Sequence, residues 1–203
     1  MQINANESEA RISVTLGDAP LYVAGQELYT AEDYDVWMAD LASLPSVTER
    51  VIGRSIDGRP IKALRHDTAI RDAKTVFFVG RQHPPEVTGG LAMKRFVAEL
   101  FGDSVTAKNF REQFNIVMVP LMNPDGVADG YWRHNKGGVD LNRDWGPFDQ
   151  PETQAVKTLL DKMAEDPDEG LALFLDFHST WRNVFYTQTV EDEPTAYNFT
   201  GKW

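Results

Sequence analysis

The sequence predicts an α/β protein of three layers, with helices on both faces of a mixed, mostly parallel sheet. Three observations predict it. The runs 74–79, 114–121 and 171–177 are apolar with little alternation, the pattern of strands buried on both faces. The stretches between them carry apolar residues at helical spacing, and alternation of the two element types is the mark of this class. Each apolar run also leads straight into a polar cluster, at 81–86, 122–145 and 178–182. Ligands of such sheets bind beyond the carboxyl ends of the strands, so three clusters at three strand ends are the first functional signal.

Taken in order, residues 11–23, RISVTLGDAPLYV, predict one or two short strands around the turn pair Gly17-Asp18. Thr30 is placed to cap a helix over about 31–43, with Tyr34, Trp37, Met38 and Leu41 on one face. The run VIGRSIDGRPIKALR, 51–65, reads as a hairpin turning at Asp57-Gly58. After the first buried strand, Met93, Phe96, Val97, Leu100 and Phe101 mark the inner face of a helix over 87–101. Pro151 suits the first turn of another, continued by Ala155, Val156, Leu159, Leu160 and Met163. Val184 to Thr187 is a candidate further strand. A chain of 203 residues implies one main domain. The division expected is a short β or irregular segment over 1–29 and a domain over 30–203.

The composition narrows the functions. A net charge of −11 argues against a nucleic acid or an anionic membrane surface as partner, since both reward basic patches. There is no cysteine, so any metal must be held by histidines and carboxylates. The polar, acidic N-terminus lacks the basic and apolar regions of a secretory signal. No run approaches the roughly 18 apolar residues of a membrane helix. The expectation is a cytoplasmic protein, or a periplasmic one if a leader has been removed.

The polar clusters carry the chemistry. In His83-Pro-Pro-Glu86 an imidazole and a carboxylate leave a strand together across a stiff turn, a spacing that lets both reach one ion. Taken alone, the same four residues also fit a surface loop. His178 closes the third strand in FLDFHST. If the sheet brings it to the same crevice, two histidines and a glutamate form a catalytic zinc set with an open position. The middle cluster, NPDGVADGYWRHNKGGVDLNRDW, is a long loop rich in turn formers. Within it Arg133 could stabilise an oxyanion, and Asn142-Arg143 could bind a carboxylate. Asp140 could accept a hydrogen bond from a metal-bound histidine. Each of these taken singly also fits an ordinary salt-bridged loop.

Together the motifs resemble the zinc carboxypeptidase family, the relatives of pancreatic carboxypeptidases A and B. Gly53-Arg54-Ser55 with Gly58-Arg59-Pro60 resembles its hairpin, His83-x-x-Glu86 its first two zinc ligands, and Asn123-Pro124-Asp125-Gly126 its NPDG turn. Trp132-Arg133 and Gly138 to Arg143 resemble its substrate loop, Pro151-Glu152-Thr153 the start of its next helix, and Asp176-Phe177-His178-Ser179 the strand end with its third ligand. The resemblance implies zinc on His83, Glu86 and His178. It implies Arg133 on the scissile carbonyl oxygen, Asn142 and Arg143 on the terminal carboxylate of a peptide or protein substrate, and Asp140 behind His83. His66 and His134 match no motif. Val127, Gly130 and Asn183-Val184-Phe185 are also similar to the cytosolic branch of the family, which includes deglutamylases.

One departure sets a further expectation. The family's domain normally continues well beyond the third ligand, into the stretch that carries the general-base glutamate, a capping tyrosine and the specificity residues. Here Glu191 and Glu193 are the acids nearest the site in sequence, within a run that reads as a solvated acidic tail. The chain therefore reads as the N-terminal part of a catalytic domain, with crippled chemistry and a sheet edge that a partner or self-association would cover. Two other functions stay open: a non-catalytic module binding zinc and a peptide tail, and a zinc amidase acting on cell-wall peptides or acyl-amino acids.

Overall fold

The computed structural model describes residues 2–3, 10–11, 13–166, 170–180, 182, 184 and 186. Two short strands, β1 (Gln2–Ile3) and β2 (Ala10–Arg11), pair antiparallel. Helix α1 (Ala31–Ala42) follows, then strands β3 (Val47–Arg54), β4 (Pro60–His66) and β5 (Thr75–Gly80). Next come helices α2 (Val87–Leu100) and α3 (Val105–Gln113), strand β6 (Asn115–Val119) and a short helix α4 (Pro124–Asp129). Helix α5 (Pro151–Glu165) and strand β7 (Leu171–Phe177) complete the described elements.

The main sheet has the order β3-β4-β6-β5-β7. It is mixed, as expected, and its four pairings divide evenly. The hairpin β3–β4 and the β4–β6 pair are antiparallel, while β5 runs parallel to both β6 and β7. Because β5, β6 and β7 point the same way, their carboxyl ends lie along one rim. That rim receives the three polar clusters.

Successive residues of the central strands face opposite layers. Val76 and Phe78 of β5, with Ile116 and Met118 of β6, pack on one side against Met38, Met93 and Val97. Phe77, Val79, Val117 and Val119 pack on the other against Ala155, Val156 and Met163 of α5. Both faces are covered, which is why these strands read as unbroken apolar runs. Phe77 and Phe78 are fully buried, and each such burial stabilises the fold by about 1.5–3 kcal/mol.

Thr30 caps α1 through a reciprocal pair with Asp33, and Pro151 opens α5, both as predicted. Phe96 lies at the margin of its helix's inner face and meets Phe78 and Phe177 with one side of its ring. Three differences from the sequence reading have physical causes. Residues 13–23 contain no strand; they run exposed and unpaired, and the two residues of β2 end at Arg11. Helix α3 was not foreseen, because among its residues only Ala107 is buried and its apolar stripe is too thin to give a periodic signal. The loop 123–145 contains α4 and a short 3-10 turn over Leu141–Arg143. Asn123 as N-cap, Pro124 in the first turn and left-handed Gly130 at the end supply both helix signals for α4 within eight residues. The proposed strand at 184–187 and Glu191 and Glu193 lie wholly or partly outside the described residues.

Candidate metal and substrate site

The three predicted ligands come together at the sheet rim. His83 lies in the turn after β5, Glu86 immediately precedes α2, and His178 follows β7. One ligand atom from each lies within 4.8 Å of the others. The Glu86 carboxylate bridges the two rings, with Oε1 2.7 Å from His83 Nδ1 and Oε2 2.7 Å from His178 Nδ1. The rings themselves sit 4.9 Å apart, centre to centre. A backbone donor from Ser179, 2.9 Å from Oε2, fixes the carboxylate's orientation.

Several close approaches build this junction. The Gly89-Gly90 pair lets α2 start against its neighbours. A Cβ at Gly89 would stand 2.7 Å from the backbone of His178, and one at Gly90 would overlap the Tyr34 hydroxyl. Ser179 ties β7 to α2 by accepting from the Gly89 N–H at 2.7 Å. Arg81, in left-handed backbone, donates from Nε to the Pro84 carbonyl and from its Nη groups to the Tyr34 hydroxyl and the Tyr29 carbonyl. The metal loop is thereby clasped to α1 and the segment before it.

Each imidazole has a carboxylate on its outer nitrogen. His83 Nε2 is 2.9 Å from Asp140 Oδ1, and His178 Nε2 is 2.8 Å from Asp176 Oδ2. A carboxylate only accepts, so both nitrogens of each ring face acceptors; a cation held between the two Nδ1 atoms and Glu86 would take the place of protons there and leave each Nε2 as the donor. Three carboxylates around two imidazoles leave the centre negative unless a proton or a cation sits in it. Burial works against the charged form of His178, yet the Asp176 and Glu86 carboxylates prevail and raise its pKa to about 10. Burial would likewise raise Glu86, but bonds from both rings and the Ser179 amide lower it to about 2. The donor set is that of a divalent cation site, and all of its residues are present.

Asp140 extends the cluster toward the predicted substrate residues. Its Oδ2 accepts from Arg133 Nε at 2.7 Å, and its Oδ1 also accepts from the Asn142 amide at 3.0 Å, capping the 3-10 turn. Burial opposes its charge, but His83 and Arg133 hold its pKa at about 2. Arg143 is exposed and donates to the Asn142 carbonyl. Five of the seven predicted residues, His83, Glu86, His178, Asp140 and Arg133, are thus joined through their side chains at one rim, while Asn142 joins by its backbone amide and the Arg143 side chain bonds the Asn142 carbonyl. His66, by contrast, is used in the fold, 3.1 Å from the Arg111 carbonyl and edge-on to Phe101, and His134 is exposed.

Sequence reasoning missed the groups that hold this loop. Asn135, buried, accepts from the Gly137 and Val139 amides and donates to Gln150 and to buried Glu152. Asp144 accepts from the Asp149 and Gln150 amides and the Thr153 hydroxyl. Asp125 joins α4 to the hairpin through Ser55, Arg59 and the Asp57 amide. The motifs 53–60, 123–126 and 151–153 are therefore one scaffold beneath the loop. Only the unusual density of Asn and Asp there could have signalled it.

A zinc carboxypeptidase family model, Peptidase_M14, matches residues 34–200. The chain belongs to the zinc carboxypeptidase family. Among the curated relatives, cytosolic carboxypeptidase 6 of Mus musculus is 35% identical over 128 residues, 60% of this chain and 24% of that protein. The inactive metallocarboxypeptidase ecm14 of Talaromyces stipitatus is 29% identical over 195 residues, 74% of this chain and 33% of that protein. The metallo-carboxypeptidase of Burkholderia cenocepacia superposes with a TM-score of 0.66 at 28% identity, covering 75% of this chain and 41% of that one. This zinc carboxypeptidase chain thus spans about a quarter to two fifths of these relatives and shares their mixed α/β fold.

Proposed function

We propose that this chain carries a zinc site and a carboxylate-binding turn for hydrolysis of the C-terminal peptide bond of peptides or proteins. The observation that carries the reading is the convergence of both Nδ1 atoms on Glu86, with Asp140 joining that cluster to Arg133 and the Asn142-Arg143 turn. Zinc bound by His83, Glu86 and His178 would supply a Lewis acid that polarises a carbonyl and acidifies a water molecule. Asp140 keeps the His83 ring donating from Nε2. Arg133, held by one nitrogen, keeps its Nη groups for the oxygen on which negative charge develops. Asn142 and Arg143 grip the substrate carboxylate and so set the distance from chain end to cleaved bond. We further propose the division into a short N-terminal β or irregular segment over 1–29 and a partial catalytic domain over 30–203. A cytoplasmic location is supported by the names of the cytosolic relatives.

Metal analysis tests the first half of this reading. About one zinc per chain is expected, lost in His83→Ala and in His178→Ala. Kinetics of the longest natural form test the second. Arg143→Ala should raise KM for peptides with a free C-terminus far more than it lowers kcat, and an unchanged KM would remove the carboxylate role. The relative named inactive supports a second reading, a zinc-bound module that holds peptide tails without cutting them. Stoichiometric zinc and tail binding with no hydrolysis by that longest form would select it.

A further inference from the structure

The partner of His83 lies in a distant loop, whereas the partner of His178 lies two residues earlier on the same strand. Residues 176 and 178 fall on one side of the chain, so the Asp176 carboxylate meets the His178 ring edge at 2.8 Å. The same oxygen, Oδ2, accepts from Gln82 Nε2 at 2.6 Å, and that amide nitrogen also lies 3.4 Å from His178 Nε2. Gln82 is fully buried, directly before His83. Its orientation is unambiguous: Oε1 accepts from Trp145 Nε1 at 2.8 Å, and an indole N–H can only donate. The amide NH2 must therefore face Asp176. Trp145 in turn packs edge-on to Phe174 of β7, 5.5 Å between ring centres. A fixed sequence of donors and acceptors thus runs from Trp145 through Gln82 and Asp176 to the outer nitrogen of His178.

We propose that Asp176, aligned by Gln82 and Trp145, is the positioning residue of His178. It fixes the ring plane and the tautomer that turns the Nδ1 lone pair to the metal. The proposal rests on the zinc reading of this site. It makes the third ligand depend on three separate segments: the turn after β5, the end of β7 and the strap after the 3-10 turn. It also explains an aspartate in the otherwise apolar run LALFLDF, and a buried glutamine between two site residues.

The test is zinc affinity by chelator competition, combined with 15N–1H correlation spectra of the histidine rings and urea unfolding. Asp176→Ala should weaken zinc binding about 10- to 100-fold and lose the single Nε2–H signature of His178. Asp176→Asn, which keeps an acceptor oxygen, should recover most of both. Trp145→Phe keeps the packed ring but frees the Gln82 amide, so it should weaken zinc severalfold with little change in unfolding midpoint. Added to Asp176→Ala it should cost clearly less than it does alone, because most of its effect passes through Asp176 and only the longer Gln82–His178 contact remains. Zinc affinity within twofold of wild type in Asp176→Ala, or in Trp145→Phe should Asp176→Ala fail to fold, overturns the proposal. So do independent, multiplying effects in the double variant. Wild-type protein that binds no zinc, or binds it unaltered in His83→Ala, sinks the zinc reading itself and this proposal with it.

Discussion

Asp140 is where the candidate metal cluster and the substrate turn meet. Its two oxygens serve an imidazole, a guanidinium and a backbone amide, so its loss should be felt in three places. Asp140→Ala should weaken zinc about 10- to 100-fold and release Arg133, with both effects visible in the longest natural form as separate changes in zinc dissociation and kcat. Arg133→Ala should leave zinc affinity alone and lower kcat by about 100- to 1,000-fold, the usual cost of removing an oxyanion donor. A loss of zinc in that variant would mean the arginine supports the metal site and not the reaction. At this scale the sequence was informative wherever partners are close in the chain, as with His83 and Glu86. It gave no sight of Gln82, whose role depends on a strand register 94 residues away.

Elements meet at the site through narrow junctions. The start of α2 touches the backbone after β7 at Gly89, where a methyl group would overlap His178. Gly89→Ala should cost about 1–3 kcal/mol in urea unfolding and lower zinc affinity as well, since it pushes the third ligand outward. The hairpin and α4 are joined by buried Asp125. Burial would raise its pKa, but the Asp57 amide, Ser55 and Arg59 together lower it below the usual carboxylate value. A depressed folded pKa gives stability that is full above the unfolded value, about 3.9, and is lost as pH falls through the folded one. Asp125→Asn should therefore lower stability at neutral pH and flatten the acid limb of the stability curve. The turn motifs at 53–60 and 123–126 were legible as motifs. That they share one carboxylate became visible only once β3, β4 and α4 were packed.

For the molecule as a whole, the centre of the sheet and its β7 edge differ in protection. β6 is buried throughout, while β7, the outermost described strand on its side, is half-exposed despite its apolar residues. Amides of β7 should exchange with deuterium well before those of β6; equal protection would mean that a further segment or a second chain covers that edge. Glu152 gives the opposite pH sign to Asp125. Buried beneath the loop 123–145, it has a raised pKa from burial, with Asp125 and Asp144 adding to it against the Asn135 bond. The folded state holds this proton more tightly than the unfolded one, so stability falls as pH rises from the unfolded value, 4.5, through the folded one. Glu152→Gln should remove that decline.

By itself the sequence determined the layers, because unbroken apolar runs and helical stripes report burial directly. It also singled out the candidate ligands and substrate residues, because those rest on short ordered motifs. Only the tertiary structure decided which nitrogen of each ring faces Glu86, which carboxylate stands behind it, and that one aspartate links the candidate metal cluster to the Asn142-Arg143 turn. Those are contacts between segments far apart in the chain, set by strand register and helix docking to within a hydrogen-bond length, and no local pattern encodes them.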